Sequence, residues 1–260
     1  MAQTLETRFD NPTNAKEEQV AALGPWFHNL HLPGGLQTAP NHRLGDFPAC
    51  NWRRISEFLP ADLSGMTALD IGCNAGYYSF ELARRGATVL AIDTEAHYLE
   101  QARWAADELG LTDRVDFVQM DVYDLIYDGG RFDVVLFLGV LYHLRYPLLG
   151  LDIMAAKVRG AMVFQTMLLP ESERLDTPDD LDYDNRGLLN QENWPHMAFV
   201  ENRLAGDPTN WWVASLSCVE AMLRSSGFRI EREICREFYL CRPTGRIRRL
   251  PFRQELPKRS

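Results

Sequence analysis

The chain runs to 260 residues, 46% of them apolar and 24% charged, at a formal net charge of −9. That balance suits one α/β core with additions and excludes a disordered chain, while the excess of acid argues against a polyanionic partner. No run nears the roughly 20 apolar residues of a membrane helix, Met1 to Gln19 lacks a signal-peptide core, and five cysteines follow no framework spacing, so the expectation is a cytoplasmic protein with reduced thiols and no membrane contact.

Residues 1–50 read as a leader followed by a lid segment. Residues 1–20 suit a frayed or loosely helical leader, whereas Gly24 to Asp46 is rich in Gly, Pro, His and Asn and shows no periodicity. Long loops of that composition commonly close over sites, so Trp26 to Thr38, with His28 and His31, is expected to act as a lid. Residues 51–241 form the main domain. Trp52 to Leu59 is spaced for a short helix, and Ala68 to Ile71 is a short apolar strand ending in a Gly-punctuated turn. A helix from Tyr77 to Arg85 follows, stopped by Gly86. Next come a strand from Thr88 to Ile92 closing on Asp93, and a helix from Glu95 to Leu109 stopped by Gly110. Val115 to Met120 is a third strand ending at Asp121, Phe132 to Leu138 a fourth, Pro147 to Val158 a helix, and Ala161 to Met167 a fifth strand.

Residues 168–210 break this rhythm as an acidic insertion, with ten Asp or Glu against three Arg, and lead into a cluster of Trp194, His196, Phe199, Trp211 and Trp212. A helix from Ser217 to Ser226 and two strands, Phe228 to Arg232 and Phe238 to Cys241, close the domain as an antiparallel pair. Strands alternating with helices specify an α/β, Rossmann-like fold with a mostly parallel seven-stranded sheet and helices on both faces. The tail, residues 242–260, carries +6 against −15 for the rest. It reads either as a solvated end or strap on the acidic body, or as a contact for RNA or another anionic partner.

The chemistry concentrates where strands end. Asp70-Ile71-Gly72-Cys73-Asn74-Ala75-Gly76 turns the first strand into its helix, and glycine there lets backbone approach a bulky ligand. Asp93, with Thr94 beside it, ends the second strand 23 residues past Asp70, suited to two ribose hydroxyls. Asp121 ends the third strand, suited to an adenine amine, with Val122 placed to cover the ring; Leu138 ends the fourth. Ligands of open α/β sheets bind at these carboxyl ends. A dinucleotide would call for G-x-G-x-x-G. Here the pattern is G-x-N-x-G with an acid before it, which repels a pyrophosphate and suits a cationic amino-acid group, so the expected cofactor is S-adenosylmethionine.

The run Leu69 to Gly76 resembles motif I of class I methyltransferases, and Asp93 and Asp121-Val122 match their ribose and adenine positions. Gly139-Val140-Leu141-Tyr142-His143, followed by Arg145 and Pro147, is similar to the bacterial tRNA carboxymethyluridine-forming transferase family, as are Gly24-Pro25 and Phe27-His28. The resemblance implies a class I fold, an S-adenosylmethionine-type donor, and Tyr142 near the transferred group. That family places a lysine before the Gly-Pro, where this chain has Leu23, and carries a long N-terminal domain. Both departures point to ordinary methyl transfer onto a small-molecule acceptor, at oxygen or nitrogen, such as a sugar, aromatic or natural-product intermediate.

Methyl transfer mainly needs alignment, and a hydroxyl acceptor adds the need for a base. His143, just past the fourth strand, is either that base or a backbone-bonded loop residue. Trp194, His196, Trp211 and Trp212 form either an acceptor pocket or a satellite core. His28 and His31 lack further ligands for a metal, and none is expected. RNA base modification and donor binding without catalysis are the alternative functions.

Overall fold

The computed structural model describes residues 12–245. Among them, strands β1 (Thr67–Ile71), β2 (Thr88–Asp93), β3 (Val115–Gln119), β4 (Phe132–Leu138) and β5 (Val158–Gln165) alternate with helices α3 (Tyr77–Arg84), α4 (Ala96–Leu109) and α5 (Pro147–Lys157). Helices α1 (Pro12–Ala22) and α2 (Ala49–Ile55) precede them, and β6 (Met197–Phe199), β7 (Trp212–Ala214), α6 (Leu216–Ser225), β8 (Phe228–Cys235) and β9 (Phe238–Pro243) follow. The seven-stranded sheet has the order β3-β2-β1-β4-β5-β9-β8. Strands β1 to β5 are parallel, and β9 is antiparallel to both β5 and β8.

The chain reverses its direction of winding between β1 and β4, which opens a crevice at the carboxyl ends of the strands. Register makes that edge even: Ile71 pairs with Ile92 on one side and Phe137 on the other. Each sheet face is covered, so the strands read as continuous apolar runs. On one face Leu82, Leu99 and Phe117 pack with Trp52 and Ile55; on the other, Phe137 and Phe164 stack at 5.7 Å above Met154, Val219 and Leu223. Burying each such side chain contributes about 1.5–3 kcal/mol.

The segment expected to be a lid is instead part of the body. Leu30 and Leu32 lie in the first core layer, and His28, Asn29 and Thr38 are buried beside them. Asn29 Nδ2 donates to Gln37 Oε1 (2.8 Å) and Asp46 Oδ1 (3.1 Å), and its Oδ1 accepts from the Ala39 amide (3.0 Å). Buried Gln101 on α4 donates to the Leu23 and Pro25 carbonyls (2.7 and 2.9 Å), tying the start of the segment down. A polar sequence with few apolar anchors hid this; the Asn29 and Thr38 side chains supply the bonds that regular structure would have made.

The leader is a regular helix over Pro12–Ala22, joined to α4 through Lys16 and Glu108. The insertion carries a small ribbon in which Met197 pairs with Ala214 and Phe199 with Trp212. Its root is fixed by Arg174, which bonds Glu220 on α6 (2.6 Å) and Glu233 on β8 (2.5 Å). Of the basic tail, Arg242 is paired with Glu231 at 2.8 Å, while residues 246–260 lie outside the described residues. No helix among the described residues is long and apolar enough to cross a membrane.

Candidate active site

The turn after β1 is built from backbone that only particular residues tolerate. Gly72, Asn74 and Gly76 have φ of 65°, 49° and 85°. At Gly76 a Cβ would stand 2.8 Å from Phe80 and 3.0 Å from Phe117, so this glycine seats α3 on the sheet. At Gly72 a Cβ would meet Val140 at 3.1 Å, which brings the turn close to the loop after β4.

Asp93 joins the two strand ends. Its Oδ2 accepts from the Asn74 amide (2.8 Å) and its Oδ1 from the Glu95 amide (3.0 Å). Burial raises its pKa in spite of those bonds. Each oxygen keeps a second lone pair, the acceptor set that a pair of vicinal hydroxyls requires. Thr94 is exposed, and its carbonyl accepts from Gln119 Nε2 (2.9 Å). The Asp93 carbonyl accepts from the Met120 amide (2.9 Å), which brings Asp121 alongside. Asp121 is exposed and caps the turn at Tyr123, Val122 is buried beneath, and Leu138 is half-buried at the end of β4.

Two residues expected to meet a ligand face inward. Asp70 is 2% exposed and accepts from Ser79 Oγ at 2.6 Å; burial pushes its carboxyl up to about 7, with Asp93 adding to the rise. The Cys73 thiol is buried in the first core layer and its amide is spent on Ile92 O (3.0 Å), leaving it neither a polar side chain nor a free donor for a ligand.

Across the crevice, the turn Leu141–His143 meets the insertion. The Trp211 amide donates to Tyr142 O (2.8 Å), and the Arg145 guanidinium lies over the Trp211 ring at 4.5 Å. His143 Nδ1 is 2.8 Å from Thr209 Oγ1, which donates to Asp207 Oδ1 at 2.6 Å. Burial lowers the His143 pKa, opposed by Asp207, the Thr209 backbone and Asp93, so Asp93 is near enough for its charge to be felt. Tyr142 is pushed up to about 12 by burial, with Glu237 and Asp207 adding to it. Glu237, in the β8–β9 turn, accepts from Gln165 Nε2 at 3.3 Å.

The remaining predicted substrate residues do not converge here. His28 is buried against Phe47 and Tyr78, and burial holds it neutral with a pKa of about 3. His31 turns outward to Asp46 (2.7 Å) and lines a separate cavity of about 250 Å³ with Tyr77, Glu81 and Arg84. Trp194 and His196 sit at the far end of the ribbon, where the Ser215 amide donates to His196 O (2.9 Å). Trp212 packs against Phe199 with ring centroids 5.0 Å apart and planes tilted by 57°, closer to Trp211 than to that end. Among the described residues no group of three or more His, Cys, Asp or Glu is placed to hold a metal. Asp207 and Thr209 were missed because Asp-Pro-Thr reads as a plain turn and their partner lies 66 residues away.

The comparisons with known proteins agree with this geometry. Residues 68–156 match the model of the methyltransferase domain family. The chain is 27% identical over 181 residues to a tRNA U34 carboxymethyltransferase of Desulfotalea psychrophila, covering 68% of this chain and 49% of the relative. It is 39% identical over 89 residues to a ubiquinone biosynthesis O-methyltransferase of Cereibacter sphaeroides, covering 34% and 35%. The chain thus spans about half the length, or less, of these curated relatives. In structure it is similar to the N-terminal domain of EvdMO1, with a TM-score of 0.62, 20% identity, and coverage of 89% and 95%. The strand order, the motif around Asp70 to Gly76 and these matches lead to one statement: residues 68–156 are a methyltransferase domain of the class I, S-adenosylmethionine-dependent type, in a chain that resembles the tRNA U34 carboxymethyltransferases.

Proposed function

We propose that this chain moves a methyl group from S-adenosylmethionine to an oxygen or nitrogen of a small-molecule acceptor. The observation that carries the reading is the juxtaposition of His143 and Tyr142 with the crevice end where Asp93 bonds the Asn74 amide. Asp93 takes the ribose hydroxyls with Thr94 at its side, Asp121 and Val122 the adenine, and the Gly72 to Gly76 backbone with Leu138 the methionyl part. The donor supplies a methyl group already activated as a sulfonium. The protein then contributes alignment, for which orientation alone supplies up to about 7–11 kcal/mol. Trp211, with the Arg145 guanidinium over its ring, lines the acceptor side.

Two further features favour a plain methyl over a carboxymethyl group. Leu23, where the similar family has lysine, is buried and apolar, and Glu237 sets negative charge near the Tyr142 hydroxyl. A donor bearing an extra carboxylate would meet repulsion there. The EvdMO1 domain was crystallised in the presence of SAH and D-fucose, so a sugar hydroxyl heads the acceptors to test. RNA modification is the second reading, favoured by the tRNA-modifying relatives.

The test is to incubate purified protein with cell extract and labelled donor and identify the labelled product by mass. Calorimetry with S-adenosylmethionine runs in parallel, and absence of binding overturns the proposal. Salt-steep tRNA binding that weakens on removal of residues 242–260 would move the acceptor to RNA.

A further inference from the structure

We infer that Asp207 and Thr209 are positioning residues that hold His143 as its Nδ1–H tautomer, leaving the Nε2 lone pair to take the proton of a hydroxyl acceptor. This rests on the methyl-transfer reading above and narrows its acceptor class.

The argument begins with one hydrogen atom. Thr209 Oγ1 stands 2.6 Å from Asp207 Oδ1 and 2.8 Å from His143 Nδ1, yet a hydroxyl donates only once. Burial works to raise the Asp207 pKa, but the side-chain and backbone bonds from Thr209 and the nearness of His143 lower it on balance. The group is therefore a carboxylate at neutral pH and can only accept. The hydroxyl hydrogen goes to Asp207, an oxygen lone pair faces Nδ1, and Nδ1 must carry the ring hydrogen. Nε2 is then the acceptor nitrogen.

The pieces are fixed. The Thr209 amide also donates to Asp207 Oδ1 (2.7 Å), and the Leu204 and Asp207 backbones bond each other twice at 3.1 Å. The Trp211 amide on Tyr142 O pins this stretch beside the turn that carries His143. The charged and titratable groups around the imidazole are Asp207 from the insertion, Asp93 from β2, and the neutral Tyr142 phenol 4.5 Å from its ring. The net effect keeps His143 neutral at pH 7.

A neutral amine is nucleophilic as it stands, whereas a hydroxyl needs its proton removed as it attacks. A base held in one tautomer therefore points to a hydroxyl. Its oxygen forms the bond to the methyl carbon, and the carbon–sulfur bond breaks with its electron pair on sulfur. The hydroxyl proton goes to Nε2. The resulting imidazolium keeps its Nδ1–H on Thr209, with the Asp207 charge behind it.

Long-range proton–nitrogen NMR of the full chain labelled with 15N-histidine reads the tautomer directly, with His143 assigned by His143→Gln. The expected result is Nδ1–H in the wild type, loss of that preference in Thr209→Val, recovery in Thr209→Ser, and a lower His143 pKa in Asp207→Asn. With the labelled product as readout, Thr209→Val lowers turnover about tenfold or more, leaves S-adenosylmethionine affinity within about twofold, and is rescued by Thr209→Ser. An Nε2–H tautomer in a wild type that binds the donor, or an unchanged tautomer and pH profile in Thr209→Val, overturns the inference. Absence of donor binding in the wild type overturns the methyl-transfer reading instead.

Discussion

Replacing Asp70 by Asn should make the protein more stable at neutral pH, by an amount that grows with pH. The side chain is wholly inside, with Ser79 Oγ at 2.6 Å and the Asp93 charge nearby, and its carboxyl rises from 3.8 to about 7. The native state thus binds a proton that the unfolded chain releases as pH passes 3.8. Sign follows from linkage: stability contributed by the protonated acid is complete below that value and drains away as pH climbs toward 7. At about 1.36 kcal/mol per pH unit, the loss reaches roughly 2 kcal/mol at pH 5.5 and roughly 4 kcal/mol above pH 7. Asparagine keeps an acceptor for Ser79 and has no charge to release, so it escapes this drain. Urea unfolding of both proteins from pH 4 to pH 8 measures the gap. The curves should diverge upward in favour of Asp70→Asn through that window. Parallel curves would refute the reasoning. Calorimetry should at the same time show S-adenosylmethionine affinity little changed, because the Asp70 side chain faces the core rather than the crevice.

Four other outcomes follow from the geometry. Asp93→Ala should leave the chain folded by circular dichroism while lowering S-adenosylmethionine affinity in calorimetry by tenfold or more, roughly the worth of one charged hydrogen bond. Gly76→Ala, which places a methyl group 2.8 Å from Phe80 in left-handed backbone, should cost about 1–3 kcal/mol in urea unfolding. His143→Ala should lower turnover more than donor affinity, and should abolish a rise of rate with pH whose midpoint lies below 6.5 in the wild type. Gln101→Leu strips the Leu23 and Pro25 carbonyls of their donor; a loss of about 1–3 kcal/mol is expected, with faster proteolysis near residue 24.

The sheet was legible because parallel strands buried on both faces leave apolar runs such as Val134 to Phe137, the first four closed by Gly or Asp where the backbone turns. The turns at the strand ends were legible for the same reason: Gly72, Asn74, Gly76, Asp93 and Asp121 follow or close strands, and strand ends are what periodicity finds. What lay off the strands was harder. The segment from Gly24 to Asp46 lacks periodicity because Asn29 and Thr38, rather than a ladder, satisfy its backbone. The ribbon strands Met197–Phe199 and Trp212–Ala214 have three residues each, too few for an alternation to register. Asp70 and Cys73 sit inside the motif, but Asp70 is buried against Ser79 of the following helix and the Cys73 thiol lies in the core layer, an orientation that their place in the motif does not reveal.

The stitch between the insertion and the body has an evolutionary corollary. The stretch from Asp207 to Trp211 bonds the turn at Tyr142 and His143 through the Thr209 side chain and the Trp211 amide. The excursion before it, with Tyr183 and Leu189 open to solvent, is hung from Arg174 at its root. Chimeras that exchange residues 176–203 while retaining both anchor points should leave the His143 turn and the crevice at the strand ends in place, so this appendage can be swapped without rebuilding the sheet beneath it.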